Sequence, residues 1–546
     1  MKKAILWIAV LSFYPALIFA QAGQSASDSQ KTSASENEVQ ELRDALAAQK
    51  QETQALREQL QQVLNQMAQS APQPAQPPST PPANVGKAKE SQLSMHAPGT
   101  PPPSAATQAA EAEGKIKESP LSFRIGGADF TPGGFVDIAN VYRSTDVGSG
   151  TPTSFYSIPY SNTTAGGLSE DRISAQNSRL TFKVTDHYAG NDVTGYMEMD
   201  FNGNNATNVY MNTNPNTARL RLFWVDVVRG KWEFLGGQSW GWLTPNRVGL
   251  SPNPPDIYNT QNVDNNYQVG ITYTRAPQFR VAYHFNPHWA WGVAVENAEQ
   301  FAGQSGEVTY PTAYSTALAA ELDAANLTST PNKYPDIISK LAYDTDLGGK
   351  HFHADAAGLA TTIQADVTAG RHGHSATGGG IEGAADLELL HHFYLVTNMF
   401  YSDGGGRYIG GLGPDAVIRP NGIVSLVHSG AGTGGFEYQF TRNDMFAAYY
   451  GGAYFQRDYF LDTSTGAKAG TFEGFGFPGS ANSNNRSLQE ATFDYLHTFW
   501  KSPAYGALQL YTQFSYITRS PWSFAAGAPK NAHLGMNYID IRYVLP

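Results

Sequence analysis

From about residue 134 onward the dominant regularity is an alternation of period two, and it removes most folds at once. Ser178, Leu180, Phe182 and Val184 alternate with Arg179, Thr181, Lys183 and Thr185. Val193, Met197, Met199 and Phe201 alternate with Thr194, Tyr196, Glu198 and Asp200. At the end, Ile539, Ile541, Tyr543 and Leu545 alternate with Tyr538, Asp540 and Arg542. A strand sends successive side chains to opposite faces, so each segment has one apolar and one polar face. Repeated segments of about ten residues with that pattern predict a transmembrane β-barrel. A soluble β-sandwich also alternates. Two features argue against it. The polar faces carry charges on strand after strand, and the apolar faces gather aromatics near strand ends, where membrane interfaces hold them.

The connections strengthen this reading. Strands are predicted near 134–143, 176–187, 191–201, 218–229, 231–240, 278–286, 289–297 and 336–344. The second half reads 352–364, 375–388, 391–401, 433–440, 445–457, 487–499, 506–518 and 533–545. Short turns fall at 188–190, Gly230, 287–288, 345–351, 389–390, 441–444 and 500–505. Long connections, including 144–175, 241–277, 298–335, 402–432 and 458–486, lie between them. Outer-membrane barrels have short turns at one end, long loops at the other, and an even number of strands. Tyr267 to Thr274 also looks like a strand, but counting it breaks the alternation, so it belongs to the long connection. The expected fold is an all-β transmembrane barrel of about 16 antiparallel strands, a size that leaves an aqueous channel.

Composition agrees. Charged residues are 15% of the 546, below the roughly 25% of soluble domains. Past the first twenty residues no run of about 18 apolar residues exists, so helical spans are excluded. The formal charge of −11 argues against nucleic acid as a partner. Zero Cys removes disulfides, thiolate metal sites and cysteine nucleophiles together, and no cofactor is expected.

The N-terminal part divides into three. Residues 1–22 read as a signal peptide: Lys2 and Lys3, an apolar run from Ala4 to Ala20, then the small-x-small pattern Ala20-Gln21-Ala22. Over 35–69, Val39, Leu42, Leu46, Gln49, Thr53, Leu56, Leu60, Val63 and Met67 recur at alternating steps of three and four. That is the core seam of an α-helical coiled coil, with Gln49 and Thr53 as polar layers that set register. Ser35 followed by Glu38 supplies a capping box at its start. Residues 70–120 form a Pro-rich tether, with ten prolines between Pro72 and Pro103, and 121–546 hold the barrel.

A signal peptide, short coiled coil, Pro-rich tether and barrel in this order resemble the DcaP-like porins, outer-membrane channels related in architecture to phosphate-selective porins. The matching pieces are Ser178 to Lys183, Tyr196 to Phe201 (YMEMDF), Ala218 to Trp224 (ARLRLFW), Gly236 to Trp240 (GGQSW) and Val295 to Asn297. Tyr334 to Ile337 and Gly405 to Ile409 continue the series. The resemblance implies a homotrimer that passes small, often anionic solutes, dicarboxylate or phosphate in type. The C-terminus departs from the pattern, ending Tyr543-Val544-Leu545-Pro546 in place of a terminal aromatic.

If the apolar faces meet lipid, the lumen receives the basic residues Arg179, Lys183, Arg219, Arg221, Arg280, Arg519 and Arg542. It also receives the acidic residues Glu198, Asp200, Glu382, Asp386 and Glu388. The Glu382 strand lies about half a circumference from the Arg179 strand, so a transverse field is one reading. The other is local pairing, which Glu198 and Asp200 invite by lying between the two basic strands. In the fourth strand, placing Leu220, Leu222 and Trp224 outward sends Asp226 into lipid, so a bulge or the strand end must intervene. The connection 241–277, with Pro245, Pro252, Pro254 and Pro255, is the expected constriction by analogy with the third loop of porins. Gly237 to Gly241 matches G-x-S-x-G, but a strand runs into a Pro-containing loop there, not into the helix that a nucleophile elbow needs. The pairs His351/His353, His372/His374 and His391/His392 read as solvated interfacial residues, and no metal site is assigned.

These readings converge on a non-enzymatic porin of the cell outer membrane, with its coiled coil in the periplasm. Its partners are other copies of itself, outer-membrane lipid and lipopolysaccharide, and small hydrophilic solutes. Two alternatives stand beside it: a sugar-specific porin with a periplasmic coiled coil, and a structural tether between outer membrane and peptidoglycan.

Overall fold

The structure is a computed structural model that describes residues 119–203, 217–252, 268–301, 303, 307–311, 332–365, 374–463 and 470–546. The signal segment, the coiled coil with its core residues, and nearly all of the tether lie outside the described residues.

The first eight barrel strands are β1 (Ala128–Arg143), β2 (Arg179–Tyr188), β3 (Asn191–Asp200), β4 (Arg219–Arg229), β5 (Trp232–Trp240), β6 (Arg275–His284), β7 (Trp289–Glu296) and β8 (Asp336–Asp346). The second eight are β9 (His351–Ala365), β10 (His374–Leu390), β11 (Phe393–Asp403), β12 (His428–Gln439), β13 (Asp444–Phe455), β14 (Asn485–Ser502), β15 (Gly506–Pro521) and β16 (Ala532–Val544). Each pairs antiparallel with its sequence neighbours. β1 then pairs with β16, Ile138 opposite Ile541, which closes a sixteen-stranded barrel. Closure leaves no unpaired edge, which a sheet in lipid requires.

All sixteen predicted strands are present, with ends that differ. β1 starts at Ala128, not 134, and β12 starts at His428, not 433. The second stave is interrupted: Glu170–Ser174 pairs with the far half of β1, and β2 pairs with its near half. Residues 268–274 form no strand, as the alternation of long and short connections requires.

Burial is inverted relative to a soluble protein. Ile138, Phe279, Ile381 and Met399 on the outer face are at least 58% exposed, whereas Arg143, Glu296, Lys340 and Asp540 are fully buried inside. An apolar outer face around a charged interior is a wall built to stand in hydrocarbon. Beside the short turns the outer face carries an aromatic belt. Trp232 packs on Tyr283 at 4.8 Å, Trp289 on Tyr343 at 4.5 Å, and Trp500 on Tyr543 at 6.1 Å. Such rings settle at the polar edge of a bilayer. Both described chain ends lie at this same end, where Leu545 donates to the Gly134 carbonyl.

Strand β4 resolves the conflict over Asp226. The β3–β4 register shifts between Glu198 and Met199, which places an extra residue in β4 beside Arg221. Past that bulge the phase reverses: Leu222, Trp224 and Asp226 are buried inside, while Phe223 and Val225 face outward. Leu222 and Trp224 therefore do not face lipid, contrary to the uniform alternation expected from sequence. The bulge keeps Asp226 out of hydrocarbon at the expense of two apolar side chains moved indoors.

Candidate functional site: the charged interior

On the inner face of β2, β3 and β4, five predicted residues meet. Arg221 lies 2.5 Å from Glu198 and 3.0 Å from Asp200. Arg219 pairs with Asp200 at 2.6 Å, and Arg179 stands 3.6 Å from Glu198. Three guanidinium groups against two carboxylates leave one net positive charge. Pairing across adjacent strands is what opposed charges facing each other on a sheet do. The local-pairing reading therefore describes this wall better than a bare basic surface. Lys183 is half-buried on the same strand, with no ion pair among the described residues.

Arg542 extends the cluster on β16. It bonds Asp137 at 3.0 Å and Asp540 at 2.8 Å, and it lies over the rings of Phe135 and Tyr511 at 4.0 and 4.7 Å. Arg280 on β6 is buried under Trp242 at 5.2 Å, with Glu233 at 3.8 Å. Arg519 does different work: it donates to the Ile158 carbonyl at 2.6 Å and packs on Tyr160, which anchors the first long loop inside the barrel.

The acidic residues on β10 are all buried inside. Asp386 receives Arg247 at 3.1 Å, and Arg247 also reaches Glu437 of β12 at 2.5 Å. Burial disfavours the Arg247 charge, but Glu437 and Asp386 outweigh it and hold the guanidinium above its ordinary range. Glu382 lies beside the buried Lys340–Asp355 pair, which is closed at 3.1 Å. Glu388 accepts the His392 backbone N–H at 2.9 Å and the His351 N–H at 3.3 Å.

The connection after β5 runs through the interior. Trp242 donates its backbone N–H to Glu296 at 3.1 Å. Lys340 donates to the Thr244 carbonyl at 2.9 Å, Asn246 to Asp355 at 3.0 Å, and Gly249 to Asp344 at 3.0 Å. The returning segment lies against β11 to β14. Val269 donates to Glu490 at 2.7 Å, Thr433 donates to the Val269 carbonyl at 2.9 Å, and Asn398 to the Gly270 carbonyl at 3.2 Å. The approach is close: a Cβ on Gly451 would lie 1.8 Å from the Val269 oxygen. Gly270, at φ +102°, fits a conformation that favours glycine. The expected constriction loop is therefore inside the barrel, with described segments on several strands.

Sequence reasoning missed Arg247, Lys340, Asp355 and Glu437. Lys340 was findable, since Ile337 and Leu341 face outward around it. Arg247 was not, because a loop has no alternation to read. His353 differs from the solvated reading: it is fully buried, 2.8 Å from Asp344 and 3.1 Å from Asp355. His372 lies outside the described residues. Ser239 of the G-x-S-x-G match is buried and donates to the Pro252 carbonyl at 2.9 Å.

No protein-family profile matches this chain. No curated protein sequence matches it either. Among solved structures, the outer-membrane channel DcaP of Acinetobacter baumannii aligns over 78% of this chain and 99% of its own, at 17% identity and a TM-score of 0.57. An anion-selective porin of Comamonas acidovorans aligns over 76% and 99%, at 11% identity and 0.44. OprB of Pseudomonas putida aligns over 77% and 94%, at 12% identity and 0.43. At these identities the likeness speaks to architecture. The chain has the closed barrel fold of the DcaP outer-membrane channel.

Proposed function

We propose that this protein is an outer-membrane porin through which small hydrophilic solutes diffuse passively, with a preference for anions of dicarboxylate or phosphate type. The observation that carries the channel reading is the inverted wall: apolar outside, charged inside, with both described segments of a long loop seated against its inner face. Anion preference is supported by the cluster of Arg179, Arg219 and Arg221, which exceeds its carboxylate partners on β3 by one charge. The interior as a whole holds more buried carboxylates than buried cations, so selectivity rests on where charges are paired and not on their sum. The proposed assembly is a homotrimer in outer-membrane lipid and lipopolysaccharide, its N-terminal coiled coil in the periplasm.

The test is single-channel recording of the purified full-length protein. Reversal potentials under a salt gradient should show anion preference, and phosphate or a dicarboxylate should reduce the chloride current. A protein that inserts and never conducts would sink the reading and favour a tether to peptidoglycan. A sugar-specific porin has one observation in its favour, the inward stack of Tyr196 on Trp224 at 5.4 Å. Block by an oligosaccharide with no block by dicarboxylates would select it.

A further inference from the structure

The two-residue turn between β10 and β11 consists of His391 and His392. The β10–β11 register shifts between Glu388 and Leu390, so a bulge precedes the turn. His392 sits at φ +60°, a region that side chains other than glycine rarely occupy. The two imidazole rings lie against each other, with centroids 3.7 Å apart and planes tilted by 35°. Below them is Glu388, whose carboxylate is oriented by the His392 and His351 backbone N–H groups. One ligand atom from each of Glu388, His391 and His392 lies within 4.8 Å of the others.

We infer that this turn is a binding site for a divalent transition-metal ion, with zinc the best chemical match. Two imidazoles and one carboxylate are a zinc donor set, and three protein ligands leave a fourth position for water. Zinc bonds of about 2.0–2.2 Å place tetrahedral ligands roughly 3.4 Å apart. His391 Nδ1 already lies 3.6 Å from the Glu388 carboxylate, and its ring is exposed and free to adjust. Backbone donors behind a ligating carboxylate are the outer-shell support that metal sites use. Two features separate this from an ordinary solvated turn: the bulge that brings Glu388 beneath the turn, and the left-handed residue that holds the second ring against the first. Hard ions such as calcium and magnesium are not favoured, because two of the three donors are imidazole nitrogens. The ion would convert a local charge of −1 at Glu388 to +1, at the barrel end that carries both described chain ends.

The test is zinc titration of the full-length protein in detergent by calorimetry. The parent should bind one Zn²⁺ per chain that is lost in the His391→Ala/His392→Asn variant; Asn tolerates the positive φ, so the turn is kept. Glu388→Gln should weaken that site at least tenfold, and His533→Ala, on β16, should leave it unchanged. Co²⁺ in place of zinc should give the strong visible bands of a nitrogen-ligated, low-coordinate ion, absent from the double variant. Unchanged zinc stoichiometry in the double variant overturns the site, as does a parent that binds no zinc. These readouts need no channel, so a protein that binds zinc here and never conducts removes the porin reading and leaves the metal site standing.

Discussion

Arg221 is buried between Glu198 and Asp200, and its charge is already spoken for in part. Neutralising the carboxylates should therefore do more for anions than adding another arginine. Glu198→Gln with Asp200→Asn removes two negative charges and leaves three guanidinium groups free of them. The expected outcome is a reversal potential shifted toward anions, read in bilayers at low salt. Truncating a buried partner has the opposite character. Lys340 is fully buried against Asp355, the Thr244 carbonyl and Asn246. Lys340→Met leaves Asp355 only His353 and the Asn246 N–H, and breaking a buried pair destabilises by up to about 3–5 kcal/mol. Urea unfolding in lipid should show that loss, and Lys340→Met with Asp355→Leu should recover most of it.

At the scale of single elements, the strands were legible and the loops were not. Strand phase follows from a covalent fact, that side chains alternate, and lipid on one face makes any slip costly. That is why Arg179, Glu198, Glu382 and Asp386 were placed on the inner face from sequence alone. The exception is β4, where Asp226 advertised the bulge without showing which side chains it would displace. Leu222 and Trp224 turned inward because the extra residue falls at Arg221. Arg247 was illegible, since its place beside Asp386 and Glu437 depends on how the segment after β5 folds against the inner wall. The returning segment at Val269 makes a test. Gly451 faces the Val269 carbonyl so closely that any Cβ there collides with backbone. Gly451→Val should expel the returning segment from the wall while β13 keeps its outward face. Conductance should rise relative to the parent. A variant with parental conductance would show that this segment does not narrow the path.

For the whole molecule, closure is the property on which everything else depends. Ile138 and Ile541 face each other across the β1–β16 seam, and the chain has no cysteine to interfere. Ile138→Cys with Ile541→Cys should give one intramolecular disulfide on oxidation, seen as a mobility shift that reductant reverses. Assembly is expected to be a trimer that resists SDS at room temperature through barrel contacts. Removing 23–120 should leave conduction intact, and cross-linking that finds only monomers would sink the trimer.

Transport puts the charge pattern itself on trial. Arg179→Glu with Arg221→Glu changes four units of wall charge and places the new carboxylates beside Glu198 and Asp200. Two like charges 4 Å apart interact by about 1 kcal/mol in water and several times more in a partly desolvated passage. The pairing seen here sharpens the expectation, because the reversal also strips Glu198 of both its arginines and leaves Asp200 with Arg219 alone. The pore should turn toward cations, and a divalent anion should be slowed more than chloride. The effect should shrink in 1 M salt, where the screening length falls to about 3 Å. A neutral sugar should pass at the parental rate. Coincident reversal potentials for parent and variant at low salt would mean that solutes do not pass this wall, and that the permeation path lies beside Arg247 and the acidic strands instead.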